Sequence, residues 1–161
     1  MPSRLHEMFV DMVRDRPTFV PEVLGELLRV PLPTYHSAEV SPGDLNDVNP
    51  TEYRADAVVT LNVADQAAFA VVVEVQLSRD KRKRRTWPAY VTTLHARLGC
   101  PVSLLVLCPK AAVVGWCSKP IVIGPDFQLT PKVFGPDQVP LVTDPAAARR
   151  SPELTILSVL A

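Results

Sequence analysis

Residues 67–85, AAFAVVVEVQLSRDKRKRR, decide the fold. The run of Ala, Phe and Val is unbroken and rich in β-branched residues, so it reads as a strand too apolar to be exposed on either face. Glu74 and Gln76 interrupt its far end. Six positive charges, Arg79 and Lys81, Arg82, Lys83, Arg84 and Arg85, follow within nine residues of Gln76. Alternate residues of a strand share a face. Ala70, Val72, Glu74 and Gln76 therefore point one way, and Phe69, Val71, Val73 and Val75 the other.

Upstream, YRADAVVTLNV (residues 53–63) reads as a second strand and ADQA (residues 64–67) as the turn of a hairpin. Hairpin partners run antiparallel, so Asp56, near the start of one strand, falls close to Glu74 and Gln76, near the end of the other. Downstream, Trp87, Tyr90, Val91, Leu94 and Leu98 return at helical spacing. Pro88 either begins a helical turn or kinks a helix already started in the basic run. Gly99 suits the helix C-cap, and PVSLLVLCP (residues 101–109) is another buried strand. This hairpin–helix–strand order predicts an α/β domain with a mixed sheet and a right-handed crossover.

The flanks are less regular. Leu5, Met8, Phe9, Met12 and Val13 predict an amphipathic first helix, with Ser3 as N-cap and Pro17 as its stop. Val20, Val23, Leu24, Leu27 and Leu28 predict a second over residues 19–29, followed by a long aperiodic connection rich in turn formers. Two short strands are expected at residues 121–123 and 127–134, and Ser151-Pro152 starts a C-terminal helix.

The chain's 161 residues fit one domain, 1–161, and are enough to bury a core. The N-terminal MPSRLHEMF carries charges where a signal peptide needs an apolar stretch, and no apolar run reaches membrane-spanning length. A cytoplasmic protein without membrane partners is expected. Formal net charge is zero, so any nucleic-acid contact must rest on local clustering. Cys100, Cys108 and Cys117 form no CxxC pair and with His95 match no zinc spacing, so they are expected reduced and buried. No GxGxxG, P-loop, GxSxG or HExxH pattern is present, which leaves nucleotide-binding and serine-hydrolase chemistry without support.

Two buried carboxylates side by side are costly through desolvation and repulsion, and a divalent cation removes that cost. Hard oxygen ligands suit Mg²⁺ or Mn²⁺, and the basic run beyond them suits a polyanion. The bland alternatives are that Asp56 merely starts a strand, that Arg54 pairs with Glu74, that the basic run is a solvated helix face, and that Trp87, Tyr90 and His95 are packing residues.

The residues RADAVV with Asp56 and VVVEVQL with Glu74 and Gln76 resemble the PD-(D/E)XK nuclease superfamily. The Glu-x-Gln form is similar to its recombination-promoting nuclease and putative transposase branch, in which the next helix bears a tyrosine, here Tyr90. The resemblance covers residues 53–109. It implies a restriction-endonuclease-like αβββαβ core flanked by helices, and metal-dependent hydrolysis of nucleic-acid phosphodiesters, with DNA the expected substrate. Asp56, Glu74 and Gln76 would be catalytic. Asp56, Glu74 and the Val75 carbonyl would hold Mg²⁺ or Mn²⁺. Lys81, Arg82, Lys83, Arg84 and Arg85 would contact nucleic acid, with Glu22, Glu26 or Glu52 as an auxiliary acid. The family's lysine is Gln76 here, a neutral amide that orients water but supplies no charge; Lys81 or Lys83 would have to reach back from the helix. The competing reading is a non-catalytic nucleic-acid-binding module or a regulatory protein-interaction domain on the same fold.

Overall fold

The hairpin that the apolar run demanded forms one side of the sheet. The computed structural model describes residues 4–43 and 53–160. Within them β1 (Ala57–Val63) pairs antiparallel with β2 (Gln66–Val75), in a register that sets Ala57 against Val73 and Val58 against Val72. The turn is tighter than expected, with only Ala64 and Asp65 between the paired residues Val63 and Gln66. Helix α3 (Lys83–Leu98) follows, and β3 (Val102–Leu107) returns parallel to β2 with Glu74 opposite Val106. The protein is thus α/β, with a mixed four-stranded sheet in the order β1-β2-β3-β6, where β6 is Lys132–Phe134. An αβββαβ order has three strands before the crossover helix; among the described residues two precede α3.

Helix α3 starts inside the basic run, which resolves the placement of Pro88 as an interior proline. Asp80 organises that start. Its carboxylate accepts from the Arg82 backbone N–H at 3.0 Å and from the Arg82 guanidinium at 3.1 and 3.0 Å, and its carbonyl accepts from the Lys83 N–H at 3.1 Å. Gly99 ends the helix in the left-handed conformation, φ 67°, with its N–H on the His95 carbonyl, as its lack of a Cβ allows.

One face of the sheet carries the core. Ala70 and Val72 from β2 and Leu104, Val106 and Cys108 from β3 and its end are buried with Trp87 and Leu94 of α3. Val113 and Cys117 of α4 (Ala111–Cys117) and Ile121 complete it. The three cysteines are free and buried, as expected. Cys108 and Cys117 bring their sulfurs to 4.0 Å, and burial first, then the neighbouring Cys108, pushes the Cys117 thiol up to about 12. The other face departs from expectation: Phe69 and Val75 are 36% and 45% exposed, because the alternation of β2 directs only its even-numbered residues into the core.

The segment 127–134 is two strands rather than one. Thr130-Pro131 breaks it into β5 (Phe127–Leu129), which pairs with β4 (Ile121–Gly124) in a separate two-stranded sheet, and β6, which joins the main one. The C-terminal helix forms as α6 (Pro152–Leu160), preceded by an unanticipated α5 (Pro145–Arg150) whose N-cap Asp144 accepts from Ala146 and Ala147.

The chain divides into two units, Met1–Thr51 and Glu52–Ala161, and every element of the sheet lies in the second. In the first, α1 (Arg4–Asp15) forms as its periodicity predicts, but Met8 and Phe9 are half exposed. Ser3, its expected cap, lies outside the described residues. The helix predicted over residues 19–29 is a single α turn, α2 (Phe19–Glu22), running into a π turn at Val23–Leu27. The Leu28 N–H bonds the Val23 carbonyl at 3.0 Å, and Arg29 then turns to φ 56°. Leu27 and Leu28 end 73% and 63% exposed instead of inward, because the wider turn rotates them off the apolar stripe.

Candidate active site

The register of the hairpin, continued one residue past Ala57 and Val73, sets Asp56 against Glu74. Two hydrogen bonds hold that end together. The Asp56 N–H donates to Glu74 Oε1 at 3.3 Å, and Asp56 Oδ2 accepts from the Val75 N–H at 2.8 Å. Asp56 is exposed at the rim while Glu74 is fully buried. Sequence reasoning therefore placed this pair correctly, from alternation and antiparallel pairing alone.

Glu74 faces the first two turns of α3. Its Oε2 accepts from Lys83 Nζ at 2.5 Å and from the Trp87 indole N–H at 3.2 Å. Lys83 and Trp87 are four residues apart and share a helix face. Arg54, the alternative ion-pair partner, is not the one used. Burial of Lys83 acts against its charge, but the hydrogen bond and charge of Glu74 outweigh it, with Tyr90 and Asp56 adding. The net effect holds Lys83 protonated above the ordinary lysine range. Its ammonium also lies 5.7 Å from the centre of the Tyr90 ring. Trp87 is the residue the sequence reading missed as a site member. Its helical spacing signalled only packing, and it does pack, but its one polar atom is directed at Glu74.

Gln76 is buried beside this pair. Its amide nitrogen donates to the Ser78 carbonyl and its backbone N–H to the Leu107 carbonyl, while its Oε1 has no hydrogen-bond partner. An orphaned buried amide oxygen costs about 1–3 kcal/mol unless a water or a ligand serves it.

The basic run separates by role. Arg84 is spent on structure: its guanidinium donates to the carbonyls of Trp116, Lys119 and Pro120 and lies 5.8 Å from the Trp116 ring, tying α3 to the turn before β4. That engagement leaves it poorly placed for the phosphate contact expected of it. Arg82 is exposed and paired with Asp80, and Lys81 and Arg85 are exposed. His95 is exposed and bonds the Cys100 carbonyl through Nδ1 at 2.7 Å, so it ties down the end of α3 instead of packing in the core as expected. Of the auxiliary acids, Glu22 belongs to the first unit, where it pairs with Arg16 at 2.7 Å. Glu26 also lies in the first unit, and Glu52 falls outside the described residues.

Comparison with protein-family models, with curated proteins and with solved structures finds no match. Among the described residues no three His, Cys, Asp or Glu side chains gather. The available donors are the two carboxylates, the Gln76 amide oxygen and backbone carbonyls, all hard oxygens. A divalent cation of the Mg²⁺ or Mn²⁺ type fits that donor set, and the unpartnered Gln76 Oε1 is the buried atom it would satisfy directly or through water. Among the described residues no helix is long and apolar enough to cross a membrane.

Proposed function

We propose that the second unit is a metal-dependent phosphodiesterase acting on nucleic acid, with DNA as its substrate, on a restriction-endonuclease-like core. The observation that carries the reading is the Lys83 ammonium on the buried Glu74 carboxylate. Glu-x-Gln lacks the cation that Glu-x-Lys supplies from the strand. Here a cation reaches the same carboxylate from the first residue of α3, and its pKa keeps it charged at neutral pH.

Asp56, Glu74 and the Val75 carbonyl would hold Mg²⁺ or Mn²⁺, which supplies a bound water of lowered pKa and polarises a phosphate oxygen. The chain's own residues do the remainder. Lys83 stabilises negative charge developing on the phosphoryl oxygens, and the Glu74 carboxylate fixes its position. Gln76 offers its free Oε1 to orient the attacking water. The Trp87 indole N–H donates to Glu74 and helps fix its carboxylate. Lys81, Arg82 and Arg85, exposed around the start of α3, attract the flanking backbone.

One observation favours the competing module that binds nucleic acid without cutting it: the described residues contribute two carboxylates and no third to the site. Plasmid nicking separates the two. The nuclease reading expects cleavage in Mg²⁺ or Mn²⁺ that EDTA and the exposed-residue variant Asp56→Asn both abolish. Folded protein that retains plasmid in low salt and nicks nothing in either metal would reject catalysis in favour of binding.

A further inference from the structure

Beside the carboxylate pair the second unit opens a cavity of about 240 Å³. Its walls include Tyr53, Arg54, Tyr90 and Arg97, over a floor of Val72 and Leu94. It neighbours the proposed site through three segments of the chain. Val72 sits two residues before Glu74 on the same face of β2, about 7 Å along the strand. Arg54 lies two residues before Asp56. On α3, Lys83, Trp87, Tyr90, Leu94 and Arg97 follow one another at spacings of three or four and so run down one helix face.

The lining has a particular chemistry. Tyr53 meets Tyr90 edge to face, with ring centres 5.9 Å apart and planes at 74°, and the Lys83 ammonium lies 5.7 Å from the centre of the Tyr90 ring. Two guanidiniums contribute to the same walls, and with no acidic residue among the lining the cavity is electropositive. The volume is below the roughly 300–1,000 Å³ of sites for drug-sized ligands, so it suits one planar ring and not an extended molecule. Aromatic faces, an aliphatic floor and paired arginines are the groups that stack a base and hold the phosphates on either side of it. An intact duplex keeps its bases stacked inside the helix and has none to insert.

We infer that this cavity is a base-binding subsite for an unpaired nucleotide next to the cleaved phosphate, and that the substrate is single-stranded DNA or an unpaired stretch within a duplex. The identity of the ligand rests on the nuclease reading above; the cavity and its charge do not. Tyr53 and Tyr90 stack the base, and Arg54 and Arg97 take the flanking phosphates. The preference for an unpaired strand follows from the small volume, not from sequence readout, so any base enters.

The test is fluorescence anisotropy in EDTA, where no cleavage competes, with a labelled oligothymidylate of about 12 nucleotides and a duplex of equal length. The expected result is tighter binding of the single strand. Tyr53→Leu and Arg97→Gln should each weaken it about tenfold. Thr93→Trp, an exposed position on the same wall, fills the cavity and should do the same even if Tyr53→Leu fails to fold. Equal affinity of folded Arg97→Gln and Thr93→Trp for the single strand, or tighter binding of the duplex, would overturn the inference. Because the readout is binding without metal, a dead nuclease with an intact pocket and a working nuclease without one give different results.

Discussion

Lys83→Met tests the centre of the site, because it removes the ammonium and keeps an unbranched apolar stem of similar length. Glu74 is 0% exposed and Lys83 25% exposed in their side chains. Removing one partner of a buried pair costs about 3–5 kcal/mol, since the other charge is left without compensation. The quarter exposure of Lys83 means water already screens part of the attraction, and the Trp87 and Asp56 N–H groups still serve Glu74. We therefore expect a loss of about 2–3 kcal/mol, or about 4–12 °C in melting temperature for a chain of this length. Glu74→Gln alone should cost about 1–2 kcal/mol, because it keeps an acceptor for Trp87 and frees Lys83 to turn to water. The double variant should be no worse than Lys83→Met by itself, which corresponds to a coupling of about 1–2 kcal/mol, the whole cost of Glu74→Gln. Urea unfolding followed by tryptophan fluorescence is the assay. Both tryptophans, Trp87 and Trp116, lie in the second unit, so the signal reports the unit that contains the pair. Strict additivity of the two single variants, or a loss below about 0.5 kcal/mol for Lys83→Met, would refute the pairing and with it the argument that Lys83 replaces the strand lysine.

The remaining predictions are smaller. Because the folded pKa of Lys83 is raised above its ordinary 10.5, its stabilisation is complete below that value and lost as pH rises through the higher folded one. The stability gap between wild type and Lys83→Met should accordingly be flat from neutral pH to the onset of lysine titration and close above it in urea melts. Ala64, at φ 52° in the two-residue hairpin turn, occupies a conformation that suits glycine, so Ala64→Gly should raise stability by about 0.5–1 kcal/mol; a neutral or destabilising result would contradict that strain. A Cβ on Gly135 would meet Val114 Cγ2 at 2.7 Å, against a stiff β-branched side chain. Gly135→Ala should cost about 1–3 kcal/mol by thermal melting, and adding Val114→Ala should recover part of it.

The residues that carried the fold in one dimension are those whose reading depends on period alone. β2 shows two-residue alternation, so the inward set Ala70, Val72, Glu74 and Gln76 could be named without coordinates, and each is buried. Antiparallel pairing is also a local rule, and it was enough to bring Asp56 to Glu74. Gly99 as a helix end and Pro152 as a helix start follow from backbone chemistry that no tertiary contact has to complete. Where local preferences competed, sequence was a poorer guide. The apolar spacing of residues 19–29 promised one helix, and the π turn at Val23–Leu27 shifted the phase of its last residues. Pro131 divided one expected strand between two sheets, a choice set by which edge each half could reach.

The six cations after Gln76 look alike in sequence, since nothing local distinguishes Lys83 from Arg84. The structure assigns one to a buried carboxylate and the next to three backbone carbonyls, because consecutive helix positions point about 100° apart. The sequence by itself therefore determined the α/β order, the inward face of β2 and the meeting of Asp56 with Glu74, all consequences of backbone periodicity. Only the tertiary structure decided which cation Glu74 holds, that Trp87 shares that carboxylate, and that Gln76 Oε1 is left unpartnered. Those are contacts across the gap between strand and helix, and their outcome depends on the packing of α3 on the sheet.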